Sequence, residues 1–229
     1  MISKGICVYG CNKYKIDNME LKQGENEILV KVVYSSFCRT DIDVLRGSLK
    51  QYINGDAKYP IVLGHEWVGV YEECPVTSIS ILGCLNCDNC KKDMFRFCKN
   101  RQELGILNKN GSHSQYLFIR KDFLVPIKSV SLRYCFLEPL SVVIHAVNRL
   151  KIFNKKILIS GHGNIGKLLE SVLKLYGIKY DIYDPNSQKN MFEQFDVVFE
   201  CSGDSISLNK YLEYPGITII ALGFDYNPI

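Results

Sequence analysis

No stretch of this chain approaches the run of about eighteen uncharged apolar residues that a membrane-spanning helix needs. Met1 to Gly10 holds no apolar core behind a basic start, so neither insertion nor export is marked. Excess positive charge is scarce as well. The formal net charge is +4, and the pairs Lys91-Lys92 and Lys155-Lys156 stand apart, so no basic stripe suggests a nucleic-acid partner. Internal repeats and low-complexity segments are absent. What is left is ordinary globular sequence: 229 residues, 47% hydrophobic and 23% charged, enough for one large core or two modest ones.

What the chain does have is cysteine, ten in all. Without an export signal these are expected as reduced thiols, which points to the cytoplasm. Cys84, Cys87, Cys90 and Cys98 follow the spacing C-x2-C-x2-C-x7-C, at which thiolates can converge on one tetrahedral zinc ion. A loop of fifteen residues buries too little apolar surface to hold itself, whereas zinc bound by four thiolates closes the loop and contributes folding free energy directly. This site is expected to be structural. Cys7, Cys11, Cys74, Cys135 and Cys201 have no metal-like spacing and are expected as small buried hydrophobes.

The first part of the chain reads as strands and turns. Ile28–Val33, Pro60–Leu63 and Tyr116–Ile119 are β-rich runs separated by Gly, Asn and Asp, which fits a barrel-like domain. Near Glu138 the pattern changes, because Pro139 suits the first turn of a helix and Leu140, Val143, Ile144 and Val147 recur at spacings of three and four. His145 lies on that apolar face and is expected as a core histidine. His113 lies in a Gly-Ser loop and is assigned to no site. From Lys156 onward, strands at Ile157–Ser160, Tyr180–Tyr183, Asp196–Glu200 and Thr218–Leu222, with a helix over Asn164–Tyr176, predict a parallel α/β sheet. Two domains are expected, residues 1–148 and 149–229.

Gly161-His162-Gly163-Asn164-Ile165-Gly166 is a G-x-G-x-x-G that follows a predicted strand and opens a predicted helix, the context in which this otherwise weak motif gains specificity. The first glycine permits a tight turn, the second lets the backbone approach a pyrophosphate, and the third packs helix against strand. The helix N-terminus adds free N–H groups and a partial positive charge. Asp184, about twenty residues on, ends the second strand, where a carboxylate accepts hydrogen bonds from ribose hydroxyls and repels a 2′-phosphate. A dinucleotide is expected, NAD rather than NADP.

Cys38 in Cys38-Arg39-Thr40-Asp41, His65 and Glu66 in Gly64-His65-Glu66, and Glu138 in Leu137-Glu138-Pro139-Leu140 supply thiol, imidazole and carboxylates outside the cysteine cluster. Together with that cluster and the glycine motif, in this order, they closely resemble the zinc-dependent medium-chain dehydrogenases, the group containing alcohol, sorbitol, glucose and threonine dehydrogenases. The resemblance covers nearly the whole chain. It implies a GroES-like β-barrel domain carrying a catalytic zinc and a lobe with a structural zinc, followed by a Rossmann domain, a doubly wound parallel sheet that holds the nicotinamide cofactor. It implies Cys38, His65 and Glu138 as catalytic zinc ligands, with Glu66 either on the metal or just behind it. Thr40 matches the hydroxyl that relays the substrate proton. Asp43 stands where several members have a relay histidine. Arg39 stands where some have a basic residue near the cofactor pyrophosphate, although a surface arginine fits that position equally well. The carboxylate of Glu138 looks like the polyol branch, so sugar alcohols or similar polyhydroxyl substrates are expected. In such chemistry zinc acts as a Lewis acid on the substrate oxygen and hydride passes to nicotinamide, in a cleft expected between the domains.

The chain departs from that pattern in three places. The interval from His65 to Cys84 is short, so a barrel strand or turn there is expected to be abbreviated or missing. Asp184 to Asp196 leaves too little chain for a helix and a further strand. The chain stops at Ile229, soon after its last strand, which leaves a trimmed Rossmann sheet whose edge self-association into a homo-oligomer would cover. Two readings stay open: a zinc-dependent, NAD-linked dehydrogenase of polyols, sugars or related secondary alcohols, and a non-catalytic zinc- and nucleotide-binding protein derived from one.

Overall fold

The computed structural model describes residues 1–150, 152–183 and 195–223. Two compact units emerge, Met1–Glu138 and Pro139–Ile229. The division falls at the start of the helix that the sequence analysis assigns to the first domain, so most of that helix belongs to the second unit.

In the first unit the strands and helices follow in the order β1 (Ile2–Gly10), β2 (Lys13–Glu20), β3 (Glu27–Ser36), α1 (Arg39–Arg46), α2 (Lys50–Ile53), β4 (Ile61–Val62), β5 (Glu66–Tyr71), β6 (Cys74–Ser78), β7 (Ile81–Leu82), β8 (Gln102–Leu104), β9 (Asn108–Lys109), β10 (Tyr116–Arg120) and β11 (Leu124–Pro126). Five of them form an antiparallel sheet in the order β10-β3-β5-β6-β11, and a second sheet runs β2-β1-β4. Alternation sets the buried face: in β10, Leu117 and Ile119 point inward between half-buried neighbours. They meet Val30, Trp67, Val76 and Phe123 in one apolar cluster. Truncating such a side chain to alanine costs about 2–5 kcal/mol. The indole of Trp67 stays satisfied inside this core by donating from Nε1 to Ser78 Oγ at 3.1 Å.

The short interval between His65 and Cys84 has lost no strand. Both β5 and β6 are present, and the economy lies in their connection: Glu72 and Glu73, at φ of 47° and 65°, close the hairpin in two residues. The register of the neighbouring ladder matters more for chemistry. Ser36 at the end of β3 faces Glu66 at the start of β5, so the segment that follows β3 and the segment that precedes β5 emerge side by side.

The second unit adds α3 (Leu137–Asn148, which begins just ahead of the division), β12 (Ile157–Ser160), α4 (Asn164–Leu175), β13 (Asp181–Tyr183), β14 (Val197–Glu200), α5 (Ser205–Leu212) and β15 (Thr218–Ala221). The four strands are parallel in the order β13-β12-β14-β15. Relative to a doubly wound sheet of order 3-2-1-4-5-6, these correspond to strands 2, 1, 4 and 5. β12 and β14 are buried along their whole length, as central parallel strands covered on both faces must be. Helix α4 packs Leu169, Val172 and Leu173 onto this sheet, and Gly177 at φ 66° ends it, with Ile178 N–H donating back to Leu173 O at 2.9 Å.

Helix α3 buries Val143, Ala146 and Val147, but His145 is exposed, correcting its expected place in the core: it lies one residue off the buried stripe. Of the five cysteines outside the cluster other than Cys38, Cys7 and Cys135 are buried as expected and Cys201 is partly so, while Cys11 and Cys74 are exposed beside hairpin turns. No described helix is long and apolar enough to cross a membrane.

Candidate functional site

Among the described residues, two groups of three or more potential metal ligands converge, and both lie in the first unit. In the first, the sulfurs of Cys84, Cys87, Cys90 and Cys98 all fall within 4.8 Å of one another, with Cys84 Sγ 4.0 Å from Cys90 Sγ. A tetrahedron with metal–sulfur bonds of about 2.3 Å has edges of about 3.8 Å, so the spacing suits zinc. Two 3-10 turns, Cys90–Lys92 and Phe95–Phe97, fold the loop back so that its last cysteine returns to its first, and Cys84 N–H points at Cys98 Sγ at 3.5 Å. Backbone N–H groups of Asn86 and Cys87 hold the Cys84 thiol down to about 6, whereas burial pushes Cys90 up. This cradle favours the thiolate at Cys84, the form that binds metal.

The second group joins Cys38, His65 and Glu66, whose ligand atoms also lie within 4.8 Å of one another. The ladder register explains it: Cys38 follows β3 at the N-cap of α1, and His65-Glu66 lead into β5 opposite. Ser36 Oγ donates to Glu66 Oε2 at 2.6 Å. Burial pushes the Cys38 thiol up to about 11 against the pull of the Thr40 backbone N–H, and the Glu66 charge adds to the rise. A divalent cation reverses this, since it deprotonates a coordinating thiol outright. Thiol, imidazole and carboxylate together form a donor set that zinc accepts.

Glu138 stands beside this group. Its Oε1 accepts from Ser80 Oγ at 3.0 Å, and burial raises its carboxyl above the ordinary value, with the Glu66 charge adding to the rise and His65 and Ser80 opposing it. Thr40 Oγ1 is 3.7 Å from Cys38 Sγ. Asp43 is buried and its carboxylate takes Arg39 Nε at 3.1 Å, one turn along α1, which leaves the rest of the exposed guanidinium facing outward.

In the second unit the three motif glycines have three distinct reasons. Gly161 sits at φ 88°, and a Cβ there would meet the backbone nitrogen of Ser202 at 2.8 Å. Gly166 would drive a Cβ to 2.1 Å from Gly161 O. Around Gly163, the N-cap of α4, a Cβ would meet nothing within 4 Å, so the helix N-terminus opens onto free space. Asn164 and Ile165 form the first turn behind it, where N–H groups lack partners within the helix. The neighbouring loop is fixed by buried Glu200, which accepts from Ser202 N–H at 2.8 Å and Gly203 N–H at 3.0 Å. This cradle fits a pyrophosphate. Asp184 lies outside the described residues.

Two residues beside the Cys38–His65–Glu66 group escaped sequence reasoning. Asp41 is fully buried against both Cys38 and Gly64, accepting from their N–H groups at 2.8 and 3.1 Å. His113, placed by sequence in a loop outside the site, brings Nε2 to 3.5 Å from the same carboxylate. The i, i+3 spacing of Cys38 and Asp41 offered a local signal for a helix cap; nothing local pointed to His113.

A profile of the alcohol dehydrogenase GroES-like domain matches residues 24–129. L-threonine 3-dehydrogenase of Shewanella woodyi is 22% identical over 87% of this chain and 70% of its own length. D-xylulose reductase A of Aspergillus niger is 28% identical over 73% of this chain and 51% of its own. The chain thus spans 70% and 51% of the lengths of these two curated relatives. A solved Escherichia coli short chain alcohol dehydrogenase in complex with NADH superposes with a TM-score of 0.83 at 21% identity, covering 99% of this chain and 78% of that one. At such identity the superposition speaks for the fold: a GroES-like β domain and a Rossmann-type parallel sheet. The chain carries an alcohol dehydrogenase GroES-like domain over residues 24–129 and, with its cysteine lobe and its glycine-loop sheet, is similar to the zinc-dependent medium-chain dehydrogenases.

Proposed function

We propose that this protein is a zinc-dependent, NAD-linked dehydrogenase that oxidises a secondary alcohol of a polyol, sugar or related substrate. The observation that carries the reading is the convergence of Cys38, His65 and Glu66 in the same unit as a separate four-cysteine lobe. One donor set is closed by four thiols and suits a structural ion; the other has three mixed donors and can leave a position open for substrate. Glu138, beside His65 and Glu66, enters as a further carboxylate ligand or as the group that exchanges with Glu66. The similarity to D-xylulose reductase A supports a polyhydroxyl substrate.

When bound, the metal supplies Lewis acidity at the alcohol oxygen and the dinucleotide an acceptor for hydride. The chain's own groups do the rest. Thr40, the partly exposed hydroxyl beside Cys38, relays the alcohol proton, accepting it as its own hydroxyl proton passes to solvent water. Asp43 anchors Arg39 by its Nε and leaves the outer guanidinium nitrogens for a phosphate. Gly161, Gly163 and Gly166, with the N–H groups of Asn164 and Ile165, receive the pyrophosphate. Asp184, about twenty residues after the glycine motif in the sequence, supports NAD over NADP through its sequence position. All ten cysteines are free of disulfides, which supports a reducing, cytoplasmic setting.

The test is a screen of pentitols, hexitols, aldonates and simple secondary alcohols with NAD and NADP, read as reduced-nucleotide absorbance. Substrate-dependent reduction of NAD that Cys38→Ser abolishes supports the reading. Binding of NAD with no turnover on any alcohol would favour a non-catalytic zinc- and nucleotide-binding protein.

A further inference from the structure

Asp41 is the point on which the reactive site is hung. One oxygen, Oδ2, accepts from the Cys38 backbone N–H; the other, Oδ1, accepts from the Gly64 N–H. Each oxygen is also approached by an imidazole. His65 Nδ1 lies 3.7 Å from Oδ1, and His113 Nε2 lies 3.5 Å from Oδ2. Both imidazole nitrogens are buried and neither completes a hydrogen bond at these distances. A bare ring nitrogen facing a buried carboxylate would place two lone pairs in opposition, so each of the two carries its proton. Burial alone would raise the Asp41 carboxyl, yet the two imidazoles and the Cys38 N–H hold it below its ordinary value.

His113 is itself fixed from the far side. Its Nδ1 meets Ser35 Oγ at 2.7 Å, and Ser35 Oγ meets Ser112 Oγ at 2.8 Å. Its backbone N–H donates to Leu63 O and its carbonyl accepts from Ile6 N–H, both at 2.8 Å. Its ring packs on Phe37 with centroids 4.2 Å apart. Gly64 makes this approach possible: at φ 100°, a Cβ on it would stand 2.8 Å from His113 N and Nδ1.

We propose that His113 is a positioning residue of the reactive metal site: it holds Oδ2 of Asp41 and through that carboxylate fixes the ring of His65 and the backbone of Cys38. The inference rests on the zinc reading of the Cys38–His65–Glu66 group. His113 is not among the converging ligand atoms; its effect passes through Asp41. Outer partners that orient a metal-bound histidine are worth about 10–100-fold in metal affinity.

The experiment equilibrates the full chain with graded chelator and counts zinc per chain by mass spectrometry, for wild type, Cys38→Ser, His113→Phe and His113→Gln. Cys38→Ser marks which ion belongs to the reactive site. His113→Phe is expected to surrender that ion at about 10–100-fold lower chelator strength while keeping the cysteine-lobe ion. His113→Gln, whose amide N–H can reach the carboxylate, is expected to recover part of the loss, which a packing role alone would not produce. Release of both ions at the wild-type chelator strength from His113→Phe, or a glutamine variant no better than phenylalanine, would overturn the inference. Should His113→Phe fail to fold, Ser35→Ala decides instead: it removes the hydroxyl on Nδ1 and is expected to loosen the same ion several-fold, and no loosening overturns the inference. A wild type that holds one ion would overturn the zinc reading together with the inference, whereas two ions insensitive to His113 would overturn the inference alone.

Discussion

Ser36 and Glu66 are joined twice: they face each other across the β3–β5 ladder, and the Ser36 hydroxyl donates to Glu66 Oε2 at 2.6 Å. A carboxylate held at one oxygen presents the other in a fixed direction. Ser36→Ala is therefore expected to weaken metal binding at the Cys38 group about 10-fold, the low end for an outer partner, and to leave the cysteine-lobe ion in place. Chelator competition read as metal per chain measures this. Equal loosening of both ions would make Ser36 a packing residue instead.

The three motif glycines separate stability from binding. Gly166→Ala forces a Cβ against Gly161 O and is expected to cost about 1–3 kcal/mol of unfolding free energy, the range for overpacking. Gly163→Ala has room and is expected to leave the unfolding curve within about 0.5 kcal/mol of wild type, as a change free of such conflicts does. Yet it fills the space that a pyrophosphate needs, so NADH affinity is expected to fall by about 10-fold or more. Denaturant unfolding and a fluorescence titration with NADH check the pair. A Gly163→Ala protein that binds NADH like wild type would remove this loop from the cofactor site.

The cysteine lobe predicts its own pH dependence. In metal-free protein, Cys84 is held down to about 6 by backbone N–H groups while burial raises Cys90. Alkylation of Cys84 by iodoacetamide, followed by peptide mass spectrometry, is therefore expected to reach half its maximal rate near pH 6, with Cys90 unreactive until far higher pH. A Cys84 midpoint near the ordinary thiol value of 9.0 would contradict the N–H cradle.

Acid should unsettle the second unit through Glu170. Lys174 Nζ, His162 Nε2 and Tyr180 OH each lie 2.8 Å from its carboxylate and hold it down to about 2. A carboxyl depressed in the folded state contributes stability above its unfolded value of 4.5 and loses it as pH falls towards 2. Chemical unfolding of wild type is expected to weaken across that window, and Glu170→Gln is expected to flatten the dependence. Parallel pH profiles for the two proteins would rule out this contribution.

Local patterns were the legible ones. The cysteine spacing and the glycine motif are short-range signals, and β12 and α4 stand where the motif predicts them. The hairpin of β1 and β2 was not legible, because the inward face of β1 begins with Ser3 and Gly5 and β2 is largely exposed, so neither strand alternates large apolar residues with polar ones. The meeting of Asp41 with His113 was hidden for another reason. It depends on backbone pairing of Gly111, Ser112 and His113 with Val62, Leu63 and Gly64, a long-range register that spacing cannot encode. His145 misled in the opposite sense, since its helix is apolar enough that one position off the buried stripe looks like part of it.

Zinc per chain in protein purified without added metal, compared between wild type and Cys38→Ser, tests the central claim most directly. About two ions falling to one in the mutant is the predicted result, one ion for each converging donor group. About one ion in both proteins would mean that only the cysteine lobe holds metal, and would contradict a reactive zinc at Cys38, His65 and Glu66.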